Sequence, residues 1–353
     1  MPNYADYGLT SDRAKQAIEK GLYQGNWYKS PIPRSVMKEL MQRSDGPAIR
    51  DTLIWFVILI ASAAGGVHFW GTWWCVPFFV VYGVFYGSSG DSRWHECGHG
   101  TAFKTRWMNA VVYNIASFMI VRDPTVWRWS HTRHHTDTYI IGLDPEIVGV
   151  RPPQIVKMIG YFTGLADAPL LFRDMLRHAS GRLSADEKTF VPESERHKVY
   201  FTARIWIVIY AAVIAACILT RSILPAMLIG LPRFYGVWLV IWLAIPQHVG
   251  LSDDVLDHRL NCRTVYMNPL FRFVYWNMNY HVEHHMFPMV PYHALPRLHE
   301  AMKADCPPAY ANLLEAYKEI VPTLFKQLDD PDYHVVRPIP KPAASTAAAP
   351  AMQ

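Results

Sequence analysis

Histidine is the residue type whose spacing carries the strongest chemical signal in this sequence. Eight of the sixteen histidines lie in three short motifs, with the letters HECGH, HTRHH and HVEHH. The motifs supply His95 and His99, then His131, His134 and His135, then His281, His284 and His285. Residues three or four positions apart are neighbours on a helix, so each motif predicts a helix that presents its imidazoles along one face.

Clustered imidazoles in this number predict a metal site. Eight protonated rings would repel one another and eight neutral rings would leave many nitrogens without partners, whereas neutral imidazole is a good ligand for iron or zinc. A structural zinc ion takes four ligands, so the set suits two ions of higher coordination number. His248 is a ninth candidate, because an apolar segment ends beside it. We expect the other histidines not to be ligands: His68, His178, His197, His258, His293, His299 and His334.

Three polar side chains near the motifs could orient the rings, because a metal-bound imidazole usually donates its second N–H to an acceptor. Asp91 precedes His95 by one helical turn, Asn277 precedes His281 by one turn, and Asp144 follows the second motif. Each of the three could equally be a capping or surface residue.

Four apolar segments could hold the motifs at one face of a membrane, since a helix needs about 20 apolar residues to cross the hydrocarbon core. They cover residues 52–70, 72–89, 201–220 and 223–247 and form two closely connected pairs. Lysine and arginine concentrate outside these pairs, which by the positive-inside tendency makes those regions cytoplasmic. The sequence thus predicts an all-α integral membrane protein with four transmembrane helices in two hairpins and a cytoplasmic helical cap that holds the metal site.

The rest of the chain divides around these segments. We expect residues 1–51 to form a cytoplasmic arm with an interfacial helix, 52–336 to form the membrane domain, and the Pro/Ala-rich residues 337–353 to be disordered. Residues 108–121 and 155–172 are too short or too interrupted to span a bilayer, and we expect them at the membrane surface. Apolar residues at helical spacing predict an amphipathic helix between Leu313 and Leu324.

Composition argues against several classes of protein. Charged residues make up 18% of the chain, below the roughly 25% of soluble domains. The net charge of +5 is modest and scattered, so nucleic acid is not an expected partner. The five cysteines form no CxxC pair, which argues against a disulfide framework and an iron–sulfur cluster. Without a Rossmann glycine fingerprint or a fused haem domain, we expect no bound haem, flavin or nicotinamide.

The three motifs, in this order, resemble the HxxxH, HxxHH and HxxHH motifs of the membrane fatty acid desaturase superfamily. The resemblance covers roughly residues 50–300, including PMVPYHALP at 288–296. It implies four spans, a cytoplasmic non-haem di-iron site and a ligand histidine at the end of the fourth span, here His248. The segments WHECGHGTAFKT, VWRWSHTRHHTDT and WNMNYHVEHHMFP are most similar to the rhizopine (O-methyl inosamine) O-demethylase group of soil bacteria, which implies a multi-pass protein of the bacterial inner membrane.

The resemblance also implies oxidation of an unactivated C–H bond with O2 as co-substrate. The expected reaction is demethylation of an O-methyl inosamine with release of formaldehyde. The alternative is desaturation or hydroxylation of a fatty acyl lipid, and the ligands do not decide between the two. A ferredoxin or Rieske-type protein with its reductase is the expected electron donor. Basic residues around the first two motifs could dock such a donor or contact lipid headgroups; they are Lys104, Arg106, Arg122, Arg128 and Arg133.

Two other functions remain open at this point. His95-Glu96-x-x-His99 also fits the HExxH pattern of zinc metalloproteases, in which the glutamate is a general base, but that function leaves six clustered histidines without a role. A metal carrier would place its ligands within the spans, whereas the predicted topology places them on one side of the membrane.

Overall fold

The structure is a computed structural model that describes residues 4–340, and helices are the regular elements of this part of the chain. The α-helices are α1 (Asp12–Glu19), α2 (Arg34–Leu40), α3 (Asp45–His68), α4 (Cys75–Gly98), α5 (Arg106–Ile120), α6 (Pro124–Thr136), α7 (Ile155–Phe162), α8 (Ala168–Ala179), α9 (Glu187–Phe190), α10 (Arg196–Thr220), α11 (Leu224–Leu228), α12 (Pro232–Tyr235), α13 (Trp238–Ala244), α14 (His258–Asn261), α15 (Pro269–Tyr275), α16 (His281–Met286), α17 (Leu295–Met302) and α18 (Leu313–Asp329). Short 3-10 helices lie at Tyr4–Tyr7, Glu193–Glu195, Ile245–Gln247, Tyr292–Ala294 and Lys303–Asp305. Isolated β-bridges join Thr264 to Tyr280 and Val265 to Tyr310.

Helices α3 and α4 form the first predicted hairpin. The turn between them contains Gly71, whose φ of +88° is in the left-handed region that favours glycine. The helices approach closely at Gly65, where a Cβ atom would lie only 2.2 Å from the ring of Phe78. Helix α4 has 24 residues and is therefore about 36 Å long, which exceeds the roughly 30 Å of a hydrocarbon core. Its last turn can thus carry histidines beyond the apolar layer.

Two helical stretches are long and apolar enough to cross a membrane, Arg34–His68 and Glu193–Thr220. Their outer faces expose large apolar side chains, for example Ile60 on α3 and Leu219 on α10. Helix α4 is equally long but contains several glycine and serine residues, which lower its hydropathy. The structure therefore contains helices for two of the four predicted spans by this criterion.

The fourth predicted span, 223–247, is not one continuous helix, and this part of the prediction is wrong. It is divided into α11, α12 and α13, which have five, four and seven residues. A proline stands in the first turn of α11 and of α12, where its missing N–H is tolerated but a preceding helix has to end. Gly236 lies so close to α4 that a Cβ atom there would be 1.9 Å from the carbonyl oxygen of Gly83. The broken segment thus packs its backbone directly against α4.

The remaining segments agree with the sequence in part. Helix α5 occupies the predicted surface segment 108–121, and residues 155–172 are divided between α7 and α8. Helix α18 is the predicted amphipathic helix and buries one face through Leu313, Ala316 and Ile320. Helix α3 starts at Asp45, so the boundary expected near residue 52 falls inside a helix.

Both ends of the described chain pack against the domain. In the N-terminal arm, α1 buries two alanines against Ile140 and Leu143, which follow the second histidine motif. Arg337, at the start of the predicted disordered tail, is buried, donates a hydrogen bond to the carbonyl of Pro308 and lies 4.5 Å from the ring centroid of Tyr310. The chain is thus still packed against the domain at the residue where the predicted disordered tail begins, and residues 341–353 lie outside the described residues.

Candidate metal centre

Four elements bring the nine predicted histidines together beside the C-terminal end of α4. His95 and His99 lie in and just after the last turn of α4, α6 carries the second motif, and α16 carries the third. His248 follows the 3-10 helix that ends the broken segment. Helix α6 begins where the sequence dictates, because the carboxylate of Asp123 accepts hydrogen bonds from two N–H groups of the first turn and Pro124 stands at its start.

The nine imidazoles form two groups. The first histidine set has ligand atoms that all lie within 4.8 Å of one another and consists of His95, His99, His131, His135 and His284. The second histidine set consists of His134, His248, His281 and His285, of which three form a group within the same limit. His281 joins them because its Nε2 atom is 2.8 Å from Nε2 of His248 and 3.0 Å from Nε2 of His285.

Each HxxHH helix contributes to both sets. In α6, His131 and His135 belong to the first set and His134 to the second. In α16, His284 belongs to the first set, and His281 and His285 belong to the second. Around the axis of an α-helix, a side chain four positions further on is rotated about 40° past a full turn. A side chain three positions further on is about 60° short of a full turn. The middle histidine therefore points about 100° away from the last one. The expectation that each motif presents three imidazoles along one face is thus corrected, since each helix lies between two sites.

Two carboxylates lie behind the rings of α6 and determine which nitrogen faces each set. The Nδ1–H group of His134 donates to Asp144 and that of His131 donates to Glu146, both at 2.8 Å. Asp144 therefore makes the contact that the sequence led us to expect. Glu146 was not among the predicted partners, although it belongs to the same Asp-Pro-Glu stretch. In both rings the Nε2 atom is left to face the centre.

Backbone and hydroxyl groups support two rings of the second set. The Nδ1–H group of His248 donates to the carbonyl oxygen of Asn261 at 2.8 Å. The hydroxyl group of Thr138 lies 3.2 Å from Nδ1 of His285. Neither Asn261 nor Thr138 is part of a histidine motif, and no pattern in the sequence marks them as partners of the rings.

Glu96, the possible general base of the protease hypothesis, lies behind the first set. Its Oε1 atom is 3.5 Å from Nδ1 of His95 and 3.5 Å from Nδ1 of His284. Since Nε2 of His284 faces the other rings of its set, Glu96 lies on the opposite side of that ring from the ligand atom. Burial raises the pKa of Glu96 to about 8. A general base would have to face a metal-bound water molecule, so this position argues against a protease.

The contacts between Nε2 atoms cannot all be hydrogen bonds. Nε2 of His131 lies 3.1 Å from Nε2 of both His99 and His135, but its ring proton is held on Nδ1 by Glu146, which leaves Nε2 one lone pair. Two nitrogens bound at right angles to one ion, at about 2.1 Å, are about 3.0 Å apart, close to the observed spacing. Burial lowers the pKa of His131 well below its ordinary value and that of His99 to about 3, so these two rings are neutral. These residues fit two metal ions, one in each set.

Two of the predicted orienting residues lie elsewhere. Asn277 accepts a hydrogen bond from Arg272 and donates one to the carbonyl of Tyr292, so it supports the loop before α16. Asp91 faces a cavity, and within residues 4–340 no hydrogen bond joins it to His95. The one-turn spacing placed both residues near a ligand in sequence, but their side chains point to other partners.

The five basic residues near the first two motifs occupy different environments. Lys104, Arg106 and Arg128 are exposed. Arg122 is half-buried in the wall of the cavity, and Arg133 is half-buried with its guanidinium donating to a threonine hydroxyl. A protein partner could therefore reach the first three more readily than the other two.

A cavity of about 630 Å³ reaches the histidines, which is a size common for ligand sites. Apolar residues line part of its wall, among them Val237 and Ile241. Another part carries the charged side chains of Asp91, Arg122 and Arg233. Five of the candidate ligands also line it: His95, His131, His134, His248 and His281.

Comparisons with known proteins agree with this geometry. The family model described as "Fatty acid desaturase" matches residues 71–317. An omega-3 fatty acid desaturase of the endoplasmic reticulum from Nicotiana tabacum is 24% identical over 307 residues, which cover 80% of this chain and 74% of the relative. An acyl-lipid omega-3 desaturase (cytochrome b5) from Arabidopsis thaliana is 24% identical, with 78% and 72% covered. An sn-1 oleoyl-lipid 12-desaturase from Synechocystis sp. is 23% identical, with 78% and 82% covered.

Proposed function

Because the chain belongs to the fatty acid desaturase family, we propose that it is a membrane-bound, non-haem di-iron oxidase that oxidises an unactivated C–H bond. Members of this family are oxidoreductases that use O2 and external electrons, and the chain is an enzyme of this kind. One observation carries the di-iron proposal. The nine imidazoles form two sets, and hydrogen bonds alone cannot account for the short contacts between their Nε2 atoms.

Each histidine set would hold one iron ion. When bound, the two irons supply the reduction of O2 and the removal of hydrogen from the substrate. The protein's own groups hold the ligands ready for this: Asp144 and Glu146 keep two rings in the tautomer that presents Nε2. The cavity wall would place the substrate beside the ligands of both sets and limit the access of water.

We place the protein in the inner membrane of a bacterium, with four spans and with the metal centre facing the cytoplasm. The exposed apolar faces of α3 and α10 support two of these spans. Helix α4 and the broken segment 223–247 would complete the bundle. Lys104, Arg106 and Arg128 are exposed near the histidine motifs, which fits the positive-inside tendency.

An acyl lipid is the first candidate substrate. The names of the similar proteins specify fatty acid or acyl-lipid desaturases, and apolar residues along the cavity could contact a chain. The expected reaction is desaturation or hydroxylation. A ferredoxin or Rieske-type protein with its reductase would supply the electrons. The Arabidopsis relative differs in this respect, since its name specifies cytochrome b5.

A methylated inosamine is the second candidate substrate, and a specific observation favours it. The charged side chains of Asp91, Arg122 and Arg233 line the cavity that also contains ligand histidines. Charged groups in such a position favour a polar ligand over an acyl chain, because methylene groups would remove water from them without offering hydrogen bonds. Oxidation of the O-methyl group would give a hemiacetal that releases formaldehyde.

The experiment that tests the proposal supplies purified, iron-loaded protein with O2 and a ferredoxin–reductase pair. Formaldehyde release from an O-methylated inosamine is measured beside the formation of a double bond or hydroxyl group in an oleoyl lipid. Activity on either substrate that requires O2 and electrons supports the di-iron oxidase. His134→Ala and His284→Ala should each lose iron and activity, whereas the exposed control His197→Ala should keep both. Retention of full iron and activity in the two ligand variants would refute the assignment.

A further inference from the structure

We propose that a groove on the outer face of α6 binds the electron donor, an acidic protein with a one-electron redox centre, and that its electrons reach the metal centre through Trp27 and His258. This inference rests on the proposed function and names the surface and the route of its electron supply. The groove, called the donor groove below, has a volume of about 510 Å³ and lies between α1, α6 and α9. Its wall includes Ile18, Tyr23, Trp129, Thr132, Arg133 and Thr136.

The donor groove lies on the side of α6 that faces away from the imidazoles. Trp129, Thr132, Arg133 and Thr136 recur at spacings of three and four residues, so they share one face of the helix. The three histidines of α6 point about 110–150° away from the middle of that face. A helix with its side chains is about 10–12 Å across. A protein bound in the groove is therefore separated from the ligand side of α6 by the thickness of one helix.

Two aromatic rings in contact connect this surface with the second histidine set. Trp27 is half-buried beside the groove, where its indole N–H donates to the carbonyl oxygen of Thr136 at 2.8 Å. Its ring stacks on the imidazole of His258, with the centroids 4.2 Å apart and the planes within 6° of parallel. The buried ring of His258 in turn lies 5.2 Å from that of His285, a candidate ligand. Trp27 is thus the outer end of a continuous path of rings.

This path suits the transfer of single electrons. Each reduced donor loses one electron and one ferric ion of the centre gains it, so two donor molecules convert the ferric pair to the ferrous pair. Electron tunnelling slows steeply as the gaps along its route widen, and rings in contact keep those gaps short. Trp27 and His258 are not themselves reduced, because they only couple the donor to the ligand ring.

The exposed residues around the donor groove fit an acidic protein. Ile18 and Tyr23 are exposed and offer apolar contact. Lys20 and Lys29 are exposed in the same arm, and within residues 4–340 neither forms an ion pair. Electron-transfer complexes bury little surface and use complementary charge to steer their encounter. Because the path of rings ends at this surface, we assign these lysines to a redox protein and not to a lipid headgroup.

The docking test is a calorimetric titration of the metal-free, detergent-purified protein, so that docking is measured apart from iron loading. The probes are two acidic one-electron carriers, a plant-type [2Fe–2S] ferredoxin and the soluble domain of cytochrome b5. The variant is the double charge reversal Lys20→Glu/Lys29→Glu. The matched control is Lys104→Glu/Arg106→Glu, which reverses two exposed charges near the first histidine motif and outside the donor groove.

The wild-type protein should bind at least one carrier at low salt, and its affinity should fall as salt screens the charges. Lys20→Glu/Lys29→Glu should weaken binding about 10-fold, because two attractions between exposed charges become repulsions. The control should bind the carrier like the wild type. The unfolding temperature of each variant is measured to exclude loss of the fold.

The route is tested by stopped-flow reduction of the iron-loaded protein at a saturating concentration of the carrier. Trp27→Leu removes the outer ring and should slow reduction severalfold, whereas Trp27→Phe keeps a stacking ring and should restore most of the rate. Dithionite is small enough to enter through the cavity, so it should reduce every variant at the wild-type rate. Trp73→Leu, in the exposed turn before α4, is the control.

Three outcomes would overturn the inference: the wild-type protein binds neither carrier, the Lys104→Glu/Arg106→Glu control loses binding while the lysine variant keeps it, or the carrier reduces Trp27→Leu as fast as the wild type. The first two do not depend on Trp27, so they remain decisive if Trp27→Leu does not fold. Failure of the proposed function has a different signature, since protein that docks the carriers but holds no iron would reject the di-iron oxidase and leave the donor groove as a docking site.

Discussion

Asp144→Asn removes the negative charge behind one ligand ring while nearly keeping the shape of the side chain. Asp144 is 2% exposed and accepts three hydrogen bonds of 2.8 Å, from Nδ1–H of His134 and from the backbone N–H groups of Tyr139 and Glu146. Both carboxylate oxygens are used, so an asparagine amide group must face at least one of these donors. No rotation of the amide satisfies all three.

The size of the effect follows from these contacts. An asparagine oxygen in the place of Oδ2 still accepts from His134 and Tyr139, and its NH2 group then faces the backbone N–H of Glu146. His134 therefore loses the charge of its partner but keeps the hydrogen bond, and metal binding should weaken about 10-fold, the lower end of the effect of altering such a partner, which corresponds to roughly 1.4 kcal/mol. The backbone donor left without an acceptor lowers the free energy of unfolding by about a further 1–3 kcal/mol. Because His134 belongs to the second histidine set, the first set should keep its affinity.

The assay measures iron per chain after dialysis against a series of chelator concentrations, together with the thermal unfolding temperature. Asp144→Asn should release one of its two irons at a lower chelator concentration than the wild type does, and should pass through a state with about one iron per chain. Asp12→Asn, at an exposed position in α1, is the control and should behave like the wild type. Unchanged iron affinity in Asp144→Asn would refute the orienting role. Simultaneous loss of both irons from a folded variant would refute the division into independent sets.

Further substitutions test other parts of the structure. Glu146→Gln should weaken iron binding by the first histidine set about 10-fold, and iron titration would contradict this if the second set responded instead. Glu96→Gln should retain iron and most activity, because neither carboxylate oxygen of Glu96 has a hydrogen-bond partner among the described residues. Complete loss of activity with iron retained would instead favour a catalytic glutamate. Gly236→Ala should lower the unfolding temperature, since its Cβ atom would lie 1.9 Å from the carbonyl of Gly83 and such overpacking costs about 1–3 kcal/mol or more. Gly46→Ala, whose Cβ atom would meet nothing closer than 3.9 Å, should be neutral, and equal effects of both changes would contradict the close packing.

The sequence by itself determined the features that depend on local spacing. The histidine motifs predicted helices, and α6 and α16 are two of them. The start of α6 is also local, because the carboxylate of Asp123 caps its first turn. The amphipathic helix α18 followed from the same kind of periodicity. The motifs also identified eight of the nine histidines, and the end of an apolar segment indicated His248; the structure brings all nine together.

Tertiary structure decided how these residues are combined. The rotation of α6 and α16 relative to α4 determines which imidazole faces which set, and no spacing within one helix contains that information. The same limit explains why Asp91 and Asn277 make other contacts than the predicted ones. Asp91 faces the cavity. Asn277 lies in the loop before α16 with φ of +58°, so it shares no helix with His281. The charged wall of the cavity has the same origin. Asp91, Arg122 and Arg233 come from α4, the loop after α5, and α12, and the close contact of Gly236 with Gly83 brings the broken segment against α4.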